Sequence, residues 1–105
     1  MEQKKSIAEI ADRLEGPFKH LVLGRVDEYC AYLVRIEGNY LFHRHEKDEM
    51  YLVLEGEMDV EYPDGTSVAL GPQEAVTVQA GVKHRSRSDE GALVLMFKAR
   101  DLFAE

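Results

Sequence analysis

An antiparallel β-sandwich or barrel led in by one short helix is the fold that this sequence predicts. Three observations carry that expectation. From Phe18 onward the apolar residues fall in short runs rich in Val, Leu and Tyr. Turn formers interrupt those runs about every eight to twelve residues. A helical stripe of apolar residues occurs once, near the start, and not again. Many evenly spaced strands without a second helix are the pattern of closed or two-layered antiparallel sheets.

Taken in order, the elements have local reasons. Ser6 can cap a helix whose third position is Glu9, while Ile7, Ile10, Ala11 and Leu14 share one helical stripe. Gly16-Pro17 ends it, which makes residues 1–17 a helix and lead-in and residues 18–105 one barrel domain. The strand breaks are expected at Gly24, Gly38-Asn39, Glu55-Gly56, Pro63-Asp64-Gly65, Gly71-Pro72, Gly81 and Asp89-Glu90-Gly91. Pro63-Asp64-Gly65 is a hairpin turn with a mechanism, since Pro presets one backbone angle and Gly takes the left-handed one. About eight strands result. Alternation in the run after Glu49 sends Tyr51 and Val53 to one face and Leu52 and Leu54 to the other.

Composition narrows the function classes. A chain of 105 residues is one domain, and 45% hydrophobic with 31% charged residues describes a globular protein. No apolar run reaches the roughly 20 residues that cross a bilayer, and Met1-Glu2-Gln3-Lys4-Lys5 lacks the apolar segment of a signal peptide. No membrane partner and a cytoplasmic location are therefore expected. Cys30 is the single cysteine, which fits a reducing compartment and a small buried hydrophobe rather than a nucleophile. A net charge of -7 repels phosphate backbones, so no nucleic-acid partner is expected.

Chemistry concentrates in His43-Arg44-His45-Glu46-Lys47-Asp48-Glu49. In an extended segment residues i and i+2 share a face, so His43 and His45 point together. A hairpin with the run that Glu49 opens would set its carboxylate beside both rings. His84, behind the turn at Gly81, is a fourth candidate. Imidazole and carboxylate together suit a borderline transition metal better than calcium or magnesium. His20 stands alone and reads as a solvated or core-edge residue.

With these residues placed, the chain resembles the cupin family, whose two motifs lie on neighbouring hairpins of a small jelly-roll barrel. The first motif runs from Gly38 through His43, His45 and Glu49 to Gly56, one residue short in its first gap. The second runs from Gln73 through Gln79, Gly81 and His84 to Ser88, with Gln73, Gln79 and Ser88 where the family has Gly, Pro and Asn. The likeness extends to the small barrels of the mannose-6-phosphate-isomerase and RmlC type.

The resemblance implies that His43, His45, Glu49 and His84 hold one divalent transition ion, whether Fe, Mn, Zn or Ni. It also implies a small-molecule ligand or substrate and a homodimer. The family contains dioxygenases, isomerases and lyases, and it also contains barrels that bind a sugar or another small molecule without turnover, so both classes stay open. Glu46, Asp48, Tyr40 and Gln79 are the nearest candidates for orienting the ligand rings. Tyr51, Glu46 and Asp48 are the acid–base candidates. Arg85 and Arg87 are either solvated or anion-binding at a cavity mouth, and Arg35, Thr77, Gln79 and Lys98 are further scattered polar groups. The helix and the strand from Phe18 to Gly24 are an expected dimer edge, and Leu102 and Phe103 an expected interface or barrel cap.

Overall fold

The computed structural model describes residues 1–100, and among these it has seven strands and one five-residue helix. The helix, α1 (Ile7–Ala11), begins where expected, with Ser6 Oγ accepting from the Glu9 amide at 3.3 Å. It is shorter than its apolar stripe. Arg13 and Leu14 bond back to the carbonyls of Ile10 and Ala11, a tighter three-residue step that ends the α-helical ladder. Of its residues Ile10 is the buried one, and α1 lies against the first two strands.

The strands are β1 (His20–Val26), β2 (Tyr29–Asn39), β3 (Glu49–Gly56), β4 (Met58–Glu61), β5 (Ser67–Leu70), β6 (Ala75–Val78) and β7 (Arg85–Ala99). All pairings are antiparallel, in the order β1-β2-β7-β3-β6, with β4 joining β5 to β7. The expected count of about eight becomes seven among the described residues, because two of the turn signals fall inside strands while the turn at Asp27-Glu28, between β1 and β2, carried no such signal. Gly24 sits in β1 at a register shift after Val22. Gly91, with φ 97°, sits inside β7. Gly91 accepts the positive φ that its bend imposes, and Gly24 lies at a bulge in the pairing, so neither ends its strand.

That bend shapes the barrel. Before Gly91, β7 pairs with β4 through Arg85, Ser86 and Arg87, and after it with β3 through Ala92 to Lys98. One 15-residue strand thus passes from one side of the fold to the other. The enclosed core contains Val34, Ile36, Tyr51, Val53, Met58, Val60, Val94 and Met96. Tyr51 and Val53 point inward and Leu52 and Leu54 do not, as the alternation predicts. The Pro63-Asp64-Gly65 turn joins β4 to β5, with Gly65 at φ 90° and Asp64 Oδ1 accepting from the Thr66 amide at 2.9 Å. Gln73, where the motif has Gly, has φ 68°, a left-handed backbone carried here by a residue with a side chain. Leu102 and Phe103 lie outside the described residues.

Candidate metal centre

Three separate segments bring the four residues together, not one hairpin. The His43–His45 segment pairs with the segment that carries His84. His43 and His84 bond to each other's backbone both ways at 2.9 Å, and the His45 carbonyl accepts from the Gly81 amide at 2.8 Å. The correction has a simple origin: Glu49 opens β3, whose edges are already taken by Val78 of β6 and Lys98 of β7. The i, i+2 geometry still holds, and the His43 and His45 ring centres are 4.8 Å apart, with His84 4.5 Å from His43. One potential ligand atom from each of His43, His45, Glu49 and His84 lies within 4.8 Å of all the others.

Hydrogen bonds set the ring tautomers. Nδ1 of His43 is 2.8 Å from the Leu41 carbonyl, and Nδ1 of His84 is 2.8 Å from the Val82 carbonyl. A carbonyl only accepts, so each Nδ1 carries the hydrogen and each Nε2 in the neutral ring is a bare lone pair. His84 Nε2 is 3.1 Å from Glu49 Oε1, and His45 Nε2 is 3.3 Å from Glu49 Oε2. The second contact lacks hydrogen-bond geometry: both His45 ring nitrogens and Glu49 Oε2 are buried without a hydrogen-bond partner. A bound cation satisfies such a cluster of facing lone pairs as a ring proton does, and donors bound at about 2.0–2.2 Å from one ion sit about 3 Å apart. Three nitrogens and one carboxylate oxygen are the donors that borderline transition ions take. The site therefore fits a metal, and the His43, His45, Glu49 and His84 cluster is able to hold one.

Electrostatics agree. Burial alone would raise the Glu49 carboxyl, but the His45 and His84 rings and the Lys98 charge outweigh it and hold the group far below the usual carboxylate range. Glu49 is 1% exposed, so its charge depends on those partners. Burial lowers His43, a direction that keeps its ring neutral and ready to ligate. Burial, with the Glu49 charge beside it, pushes the Tyr51 phenol well above its ordinary value.

The donors face a cavity of about 170 Å³ whose walls include Phe18, Val34, Ile36, Tyr40, Tyr51 and Met96. Two of its titratable lining residues, His20 and Lys98, were not placed at this site by the sequence. His20 is set by its register opposite Val34, and Lys98 by its register opposite Glu49. Lys98 Nζ is 3.7 Å from Glu49 Oε2. The signal was present in the alternation of β7, where Met96 and Lys98 share a face, but nothing local marked that face as the cavity.

Other expectations are redirected. The orienting partners of His43 and His84 are backbone carbonyls rather than Glu46, Asp48, Tyr40 or Gln79. Asp48 accepts from the Ala80 amide at 2.9 Å, and Tyr40 meets the His43 ring edge-on at 5.3 Å. Arg85 and Arg87 alternate with the inward His84, Ser86 and Ser88 and pair instead with Glu61, at 2.8 and 3.3 Å. Cys30 is buried and free. No described helix is long and apolar enough to cross a membrane.

Comparison with known proteins agrees with this geometry. The Cupin domain family pattern matches residues 33–98. The uncharacterized protein YdbB of Bacillus subtilis (strain 168) is 27% identical over 89 residues, covering 84% of this chain and 79% of that protein. A cupin-2 domain containing protein from Shewanella frigidimarina superposes with a TM-score of 0.87 at 22% identity, over 91% of this chain and 94% of that one. Hydroquinone 1,2-dioxygenase PnpCD, crystallised with Cd2+ and 4-hydroxybenzonitrile, superposes with a TM-score of 0.78 at 21% identity, over 90% of this chain and 71% of that one. Both superpositions are likenesses of fold. With the family pattern spanning the strands and loops that carry the donor cluster, the chain belongs to the cupin domain family.

Proposed function

We propose that this cupin is a metal-dependent enzyme acting on a small molecule held in the cavity, with His43, His45, Glu49 and His84 as ligands to one divalent ion, Fe, Mn, Zn or Ni. The observation that carries the proposal is the buried donor set with no hydrogen-bond partner on Glu49 Oε2 or the His45 nitrogens. When bound, such an ion supplies Lewis acidity or, if it is iron, oxygen activation.

The chain's own residues have defined tasks. The carbonyls of Leu41 and Val82 hold two rings with Nε2 toward the centre. Glu49 offsets part of the ionic charge. Tyr51 stays protonated and serves as a hydrogen-bond donor rather than a base. His20 stands at the exposed start of β1 on the cavity rim, and partial desolvation with the Lys98 charge lowers its ring from the ordinary value, so the neutral ring can take up a proton from a ligand. PnpCD is a dioxygenase on the same barrel, which makes oxygen chemistry the first to assay and isomerisation or elimination through His20 the next.

Metal content by mass spectrometry, on protein purified without oxygen or chelator, tests the proposal against the His45→Ala variant. Near one iron or manganese per parent chain and none in the variant is the expected result. Equal metal in both removes the assignment. A second reading, a barrel that binds its ligand without turnover, rests on the shortage of bases: among the described lining residues only His20 is an uncommitted one. Oxygen uptake or product formation on a substrate panel separates the two.

We also propose a cytoplasmic homodimer. The free Cys30 supports the reducing compartment. β1 ends the strand order, and Val22 and Val26 on it are exposed, which supports pairing there. Light scattering tests it, and a stable monomer ends it.

A further inference from the structure

We infer that the ligand of this cavity is a small organic anion with a planar, apolar body, and that Lys98 takes its acidic group. The inference rests on the metal-holding reading above and adds the substrate class to it.

Lys98 is placed by the sheet. Its register partners are Glu49 on β3 and Cys30 on β2, so the side chain turns into the barrel, where it is 12% exposed. Lysines are rarely so enclosed without a partner. The partners of Lys98 here are the Tyr32 ring, with the centroid 5.6 Å from Nζ, and the carboxylate of Glu49, which is already shared because it also faces His45 at 3.3 Å and His84 at 3.1 Å. At 3.7 Å the ammonium is attracted to Glu49 Oε2 but not hydrogen-bonded to it. Among the lining residues Glu49 and Lys98 are the formally charged ones. A divalent ion in the donor set would leave the cavity with two positive charges in excess. Such charge in a partly buried, apolar-walled site favours an anionic guest and disfavours a neutral one. The whole chain carries -7, so long-range attraction is not the source of that preference; the cavity is.

The walls describe the rest of the guest. Phe18 has φ 62°, a left-handed backbone that bulky residues rarely adopt, and the bond from its amide to the Arg35 carbonyl at 2.8 Å holds it there. The result is a Phe18 ring packed on Tyr40 at 5.0 Å at the cavity wall. Strain retained beside a cavity is the kind that shapes a ligand clamp. The free space of about 170 Å³ is close to the roughly 150 Å³ that accommodates benzene in an engineered apolar cavity. One ring with a carboxylate or an ionised hydroxyl fits both the space and the charge.

Benzoate, its neutral isostere benzamide, and acetate, which lacks the ring, are the probes, titrated by calorimetry into protein loaded with Zn2+. The parent is expected to hold one Zn2+ per chain and to bind benzoate at least about tenfold more tightly than either other probe, the scale of one hydrogen bond to a charged group. Lys98→Met is expected to lose about tenfold or more in benzoate affinity while still holding one Zn2+, and Lys98→Arg to keep most of the preference. A parent that binds no Zn2+ overturns the metal reading. A parent that holds Zn2+ but takes benzamide as readily as benzoate overturns the anion site alone, and needs no variant to do so. A Lys98→Met variant that holds Zn2+ and binds benzoate like the parent shows that Lys98 is not the anchor.

Discussion

The backbones of His43 and His84 hydrogen-bond to each other reciprocally at 2.9 Å, and each ring is turned inward by a bond from its own Nδ1 to the carbonyl two residues before it, at 2.8 Å. Ligand geometry is thus built from main chain, which side-chain substitution leaves in place. His43→Ala should keep the folded circular-dichroism spectrum of the parent and lose more than about 100-fold in Zn2+ affinity, beyond the loss typical of an outer partner. Competition with a chromophoric chelator measures it. Parental affinity in the variant would remove His43 from the ligand set.

Acid should destabilise the metal-free protein below a pH of about 6.5. His20 and His43 are both held below the ordinary value of 6.5, chiefly by burial. As the pH falls through that value, the unfolded chain takes up protons that the folded chain still refuses. The unfolded state then binds more protons, so stability rises with pH in this window and falls on acidification. Glu49 acts in the same direction further down: its contribution is present above 4.5 and lost as the pH drops toward its depressed folded value. Bound metal should steepen the loss, because protons compete for the same nitrogens. Urea melts from pH 8 to pH 5 check this, and a midpoint that does not fall would contradict it.

Two glycines should respond differently to the same change. Gly56 has φ 81°, and an added Cβ would run into the Gly91 carbonyl oxygen and lie 3.0 Å from the Ala92 Cα. Gly91 has φ 97° with nothing within 4 Å of such a Cβ. Gly91→Ala carries the backbone strain alone, about 1–3 kcal/mol. Gly56→Ala adds overpacking against main chain, for a total of about 2–5 kcal/mol. Denaturant midpoints at constant slope report both, and a smaller loss at Gly56 would show that β3 and β7 separate there easily.

Arg85 should be dispensable for the cavity. Its guanidinium bonds to Glu61 at 2.8 Å and lies over the Phe42 ring at 4.4 Å, on the face away from the donors. Arg85→Ala is expected to retain parental metal content and ligand affinity. A drop in either, in a variant that unfolds at the parental midpoint, would place Arg85 at the site after all.

Much of this site is legible in the residues themselves. The spacing of His43, His45 and Glu49 is local, and the strand period puts i and i+2 on one face whatever the register. His84 is a candidate from its place behind the turn at Gly81, and the resemblance of that turn to the second cupin motif joins it to the other three. The inward set of β3 follows from alternation at Tyr51 and Val53. Less legible are Gly24 and Gly91, because glycine marks a bulge and a turn with the same permissive backbone. An expectation of eight strands overcounts for that reason. Lys98 and His20 are hidden for another: a lone polar residue on a strand has no local sign of which face is the cavity.

By itself the sequence determined the fold class, the starting helix cap, the Pro63-Asp64-Gly65 hairpin and the identity of the four candidate donors, since periodicity, capping and motif spacing act over a few residues. Tertiary structure alone decided that the His43 segment pairs with His84 rather than with β3, that β7 bends through Gly91 between β4 and β3, and that Lys98 comes to lie beside Glu49. Register between distant strands is set by which faces can be buried together, a property of the whole sheet that no single segment carries.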